Sequence, residues 1–184
     1  MRSCLLAVLT LGLVACGTPF HERTDMQPSR AAVLADFSGI YDVVAKSDSA
    51  FTRKVAALEI ALHEDKPVLI HYAADGAIIR VSFADNCHGN LLEENPSLGC
   101  VLQHSSSRRA GVQITRHTKP HTVTYPVLFP IEEKLEIRDG YHLRVFHSPS
   151  SEHYSVKRRG ASTFNLQQSI KQGKIQPCVL SGWC

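Results

Sequence analysis

The residues best equipped for chemistry lie in Cys87-His88-Gly89-Asn90 and Ser97-Leu98-Gly99-Cys100-Val101. A cysteine beside a histidine can act as a nucleophile, because the imidazole takes the thiol proton and the thiolate attacks. The same sulfurs, Cys87 and Cys100, can instead be oxidised to a disulfide, and then neither is a nucleophile. A third arrangement makes Cys87, His88, Cys100 and His104 zinc ligands, although adjacent ligands at 87 and 88 fit a tetrahedron poorly. The redox compartment decides among them.

The first residues speak to that compartment. Arg2 is followed by the apolar run Leu5–Leu13, which is shorter than the ~20 residues needed to span a hydrocarbon core. Small Ala15 then sits where a signal peptidase would cut. Leu13-Val14-Ala15-Cys16 resembles the lipobox of bacterial lipoprotein precursors. The resemblance implies that residues 1–15 are a signal peptide and that Cys16 carries diacylglycerol and an acylated amine. It also implies a cell outer-membrane location, since Gly17 stands where the enteric inner-membrane retention signal places Asp. Several acyl chains make a stable anchor, where one holds only marginally.

Of the six cysteines, Cys4 leaves with the signal and Cys16 takes the lipid. Cys87, Cys100, Cys178 and Cys184 remain, and an even set in an exported domain reads as two disulfides. Short loops close most readily, so we expect Cys87–Cys100 and Cys178–Cys184. The stretch from His88-Gly89 to Ser97-Leu98-Gly99-Cys100 also resembles the His-Gly … Ser-x-Gly-Cys signature of L,D-transpeptidases. That resemblance implies attack on peptidoglycan by Cys100 with His88 as base. Leu102 stands where that family places arginine, and no Thr-Pro-x-Gly precedes the site. The disulfide is our expectation and the enzyme its alternative.

The elements that must position these residues are mostly strands. Residues 16–36 read as lipidated cysteine and tether, with one or two helical turns over Ser29–Asp36. Residues 37–184 read as a single β-rich domain opening on a strand at Phe37–Val44. Period-two alternation follows in Lys54–His63, Pro67–Ala73, Ala77–Phe83, Val101–His104, Gly111–His117, His121–Phe129, Lys134–Arg138, Tyr141–His147 and His153–Arg158. Eight or nine such strands predict a small antiparallel barrel or two-layer sandwich. Gly39-x-Tyr41 resembles the Gly-x-Trp of lipocalins, with Tyr in place of Trp, which implies a carrier of a small apolar ligand as a further alternative. Asn165-x-x-Gln168 resembles a capping box and Gly173 can end a short C-terminal helix.

Two registers can be derived. A two-residue Asp75-Gly76 turn sets Tyr72 against Ile79, Ile70 against Val81 and Val68 against Phe83, with His71 and Arg80 on the opposite, solvent face. A three-residue loop Arg138-Asp139-Gly140 sets Ile137 against Tyr141 and Leu135 against Leu143, leaving His142 and Arg144 wet. On these registers the ten histidines read as scattered and solvated. The charge is balanced, 20 Lys and Arg against 17 Asp and Glu, which argues against a nucleic-acid partner. No cofactor or metal is assigned. The expectation is a lipid-anchored, non-enzymatic binding or structural domain, with an envelope protein, lipid or peptidoglycan as partner.

Overall fold

Among the described residues, alternating apolar positions punctuated by Gly, Asp and Pro give ten strands and two short α-helices. The computed structural model describes residues 29–103, 110–128, 130–138, 140–147 and 150–175. Helix α1 is Arg30–Phe37, followed by β1 (Gly39–Lys46), β2 (Ala57–His63), β3 (Lys66–Tyr72), β4 (Ile78–Asn90) and β5 (Ser97–Leu102). Then come β6 (Ala110–His117), β7 (His121–Leu128), β8 (Ile131–Ile137), β9 (Gly140–His147), β10 (Ser150–Gly160) and α2 (Leu166–Lys171). Eight strands close into an antiparallel barrel in the order β1-β10-β9-β6-β5-β4-β3-β2, and β7 pairs with β8 as a separate hairpin. Among the described residues no helix is long and apolar enough to cross a membrane.

The folded body starts before residue 37. Ser29 caps α1 by accepting from the Ala32 amide, and the helix drives Val33, Leu34 and Phe37 into the main core. Phe37 meets Tyr141 edge-on, and the Tyr41 hydroxyl donates to the Phe37 carbonyl at 2.7 Å. Val33 lies so close to β4 that a Cβ on Gly89 would stand 2.2 Å from its Cγ1. The helix thus stops one barrel mouth. The Thr52–Lys54 3-10 turn and Phe51 lie at the other.

The β3–β4 register holds at Val68↔Phe83, Ile70↔Val81 and His71↔Arg80. Tyr72 faces Ile78 rather than Ile79. The Ala73 amide donates to the Ala77 carbonyl at 2.9 Å, so the loop holds three residues, and a bulge at Ile79 restores the expected pairs. Gly76 takes the positive φ, 81°, that the turn requires.

The faces are reversed. His71 is fully buried and faces the barrel interior with Leu69, whereas Val68, Ile70 and Val81 belong to an outer cluster with Ile175, Phe164 and Leu166. Arg80 shares the face of His71 and is only partly exposed. The C-terminal segment covers much of the outer face of β2–β4, where Glu59, Ala61, Val68, Ile70 and Val81 are buried. Asn165 caps α2 through the Gln168 amide, and Gly173 (φ 65°) ends it. Ile170 stays exposed and Ile175 fills the apolar face instead.

The second register is overturned. Ile137 faces His121 and Leu135 faces Val123 across β7–β8, while Tyr141 and Leu143 face Arg116 and Ile114 across β6–β9. Leu135 and Ile137 form their own small core with Tyr125, and Tyr141 and Leu143 join the barrel core. Alternation reports a strand's apolar face and is silent on which strand lies beside it.

Glu59 fastens the C-terminal cover. Its carboxylate is 2% exposed and accepts from Ser162 Oγ at 2.7 Å and from the Thr163 and Phe164 amides at 2.9 Å each. The Tyr72 hydroxyl donates to its second oxygen at 2.5 Å. Hydrogen bonds to a charged partner are the strong ones, and orphaned buried donors cost the desolvation they no longer recover. Glu59→Ala should therefore lower stability by about 2–4 kcal/mol in urea unfolding, and raise proteolytic cleavage after residue 160 ahead of the barrel.

Candidate functional site

Cys87 and Cys100 form a disulfide with a Cα–Cα distance of 4.1 Å. Both cysteines lie in strands: β4 runs to Asn90, and β5 starts at Ser97. The bond ties these neighbours across an irregularity between Asp85 and His88, where Asn86 adopts φ 46°. Both cysteines are 6% exposed and belong to the barrel core. His88 is exposed. The sulfurs are bonded to each other, so in this form neither can be a thiolate nor a zinc ligand. Cys16, His104, Cys178 and Cys184 lie outside the described residues.

Chemistry-bearing side chains gather instead in places that the alternation pattern had not brought together. The first is the barrel mouth under Phe51. Arg80 makes a two-pronged ion pair with Glu152, at 2.9 Å and 2.5 Å, and the Tyr154 hydroxyl donates to the same carboxylate at 2.8 Å. Arg80 Nη2 lies 2.7 Å from His71 Nε2. A guanidinium can only donate, so Nε2 accepts and the ring is neutral. Burial, then the Arg80 charge, then His147 hold the His71 pKa well below the ordinary range. The Arg80 guanidinium sits 4.0 Å from the Phe51 ring centroid, a cation–π contact that covers the cluster.

The second is a row of rings between the barrel wall and the β7–β8 hairpin. His121 stacks on His117 at 4.8 Å, His117 lies 6.5 Å from His142, His142 stacks on His153 at 5.4 Å, and His153 stacks on Tyr125 at 4.4 Å. His142 Nε2 and His153 Nδ1 are 3.1 Å apart, and Ser151 Oγ is 2.8 Å from His153 Nε2. Burial first, then the neighbouring histidines and Arg144, hold the His142 pKa down to about 4. Burial and Arg144 do the same for His153. The reading of scattered, solvated histidines fails here, because β6, β7, β9 and β10 each contribute to one row. A usable signal was present: His117 and His121 bracket a tight turn. Among the described residues no group of three His, Cys, Asp or Glu is placed to hold a metal ion.

Concavities remain among the described residues, one of them about 520 Å³ beside α1, lined by Arg30, Leu34, Leu62 and Asp85 among others. The cavity inside the barrel wall, lined by Ile60, Leu69, Leu98, Cys100 and Ile114 among others, has a volume of about 10 Å³. Ligand pockets occupy roughly 300–1,000 Å³, so this cavity cannot hold a carried ligand. A groove of about 830 Å³ runs between the β3–β4 turn and α2. Asp75, Asn165, Gln168, Gln172 and Lys174 line it, with the Tyr72 and Phe164 rings at its base. It offers amides and a carboxylate for hydrogen bonding and two partly exposed rings.

Two outcomes follow. Cys87→Ala and Cys100→Ala should destabilise the protein by similar amounts, about 3 kcal/mol for a loop of this length, and the native protein should resist iodoacetamide at Cys100. Arg80→Asp should cost about 3–5 kcal/mol in thermal or urea unfolding, because it leaves Glu152 unpaired beside a second carboxylate, whereas Lys157→Asp on the outer face should cost less than about 0.5 kcal/mol. The chain matches no protein-family model, no curated protein and no solved structure.

Proposed function

We propose that this chain is a lipid-anchored lipoprotein of the cell outer membrane whose barrel is a non-enzymatic binding module for a cell-envelope polymer. The anchor rests on Leu13-Val14-Ala15-Cys16. The observation that carries the binding role is the pairing of Cys87 with Cys100, which removes the nucleophile that the transpeptidase reading requires. The filled barrel speaks equally against an internal carrier. The groove beside α2 is then the surface with chemistry to offer, and Gln168, Gln172 and Asp75 are suited to the hydroxyl and amide groups of peptidoglycan.

Cys16→Ser should move the protein from the membrane fraction to the soluble fraction and abolish incorporation of labelled fatty acid. Retained labelling in that variant would overturn the anchor. The soluble form should co-sediment with purified peptidoglycan sacculi, and Gln168→Ala with Gln172→Ala should weaken this about tenfold, a loss of ~1.4 kcal/mol. Failure to sediment, or sedimentation unchanged in the double variant, would remove the groove as the site. Release of soluble peptides from the sacculi would restore the enzyme.

A further inference from the structure

We propose that the row His121, His117, His142, His153 and Tyr125 is an acid-sensitive latch that docks the β7–β8 hairpin on the barrel wall and releases it when the row is protonated. Among the described residues the hairpin has few other fasteners. Its own pairing joins β7 to β8 alone, and a lone two-stranded hairpin is marginal in water. Its small apolar underside, Val123, Tyr125, Leu135 and Ile137, meets the wall at Ala45 of β1. Next to that patch lie the imidazoles.

The proton count makes the latch work. His142 Nε2 and His153 Nδ1, 3.1 Å apart, form a hydrogen bond when one nitrogen bears a proton and the other does not. One added proton keeps an N–H facing a lone pair but puts a cation beside Arg144. A second replaces the bond with two opposed N–H groups. His117 and His121, stacked with planes 8° apart, bring two further cations face to face. The groups facing the row are His117 from β6, His121 and Tyr125 from β7, Glu133 from β8, Arg144 from β9, and Asp48 after β1. Glu133 accepts from the Tyr125 hydroxyl at 2.8 Å. Both carboxylates act at the Tyr125 end, while Arg144 acts on His142 and His153.

The sign follows. A free imidazole titrates near 6.5, and in the docked state His142 and His153 resist protonation down to about 4. The undocked state therefore takes up protons first. Docking is at full strength above about pH 6.5 and weakens as the pH falls from there towards about 4. Release would uncover the apolar underside and give the barrel an acid-specific surface.

The test is hydrogen exchange on the full chain at about pH 7.5 and about pH 4.5, with intrinsic rates divided out. Amides of β7 and β8 should lose protection about tenfold or more at the lower pH while β2–β5 change less than about twofold. His142→Phe with His153→Phe keeps two flat rings without a titratable nitrogen, and should hold the hairpin protected in acid. Should that variant not fold, His117→Gln with His121→Gln removes two cations and should shift release to lower pH. A hairpin still protected at about pH 4.5, a hairpin that opens only together with the barrel, or release at an unchanged pH in the folded variants would each overturn the proposal.

Discussion

Pairing of β1 with β10 closes the sheet, and most of the remaining structure follows from that closure. A closed eight-stranded sheet has an interior just wide enough for side chains, so inward residues must fill it without leaving a lone charge. Tyr41, Leu58, Leu143 and Val156 do so along most of its length. At one mouth α1 supplies Phe37 as a stopper. At the other, Arg80, Glu152, Tyr154 and His71 satisfy one another under Phe51. Burying a charge is expensive unless it is paired, and this end shows a pair that also recruits a neutral histidine.

Closure leaves a second requirement outside. Strands that carry apolar residues on both faces need an outer cover. The chain provides two, from different parts of the sequence. The C-terminal segment lies over β2–β4 and is fastened by the Glu59 carboxylate. The β7–β8 hairpin lies over β1, β9 and β10 and is fastened largely by stacked rings. The two fasteners differ in chemistry. The Glu59 carboxylate is held by two amides, a serine and a tyrosine. Stacked imidazoles hold only while they stay neutral.

The interior is consumed by packing, and the Cys87–Cys100 sulfurs are consumed by each other. The outer surface keeps the polar groove beside α2, which borders the C-terminal cover.

Most strand positions, the Cys87–Cys100 pairing and the Asn165 cap were legible in the chain, because each depends on neighbours a few residues away. Short loop closure joins two nearby sulfurs, and a side-chain oxygen caps an amide three residues on. The pairs Ile70↔Val81 and His71↔Arg80 were legible for the same reason. Which of their faces is inside was not. Val81 and Arg80 alternate identically whether water or a C-terminal segment lies beyond Val81, so the pattern alone favoured a wet arginine. Nor did it show that Leu135 would leave Leu143 for Val123, or that His142 and His153 would meet His117 and His121. Those choices belong to the closed barrel: once β6 pairs with β9 and β10 with β1, the hairpin between β6 and β9 must fold back over the wall. Four histidines spread along the chain then have one narrow interface to share.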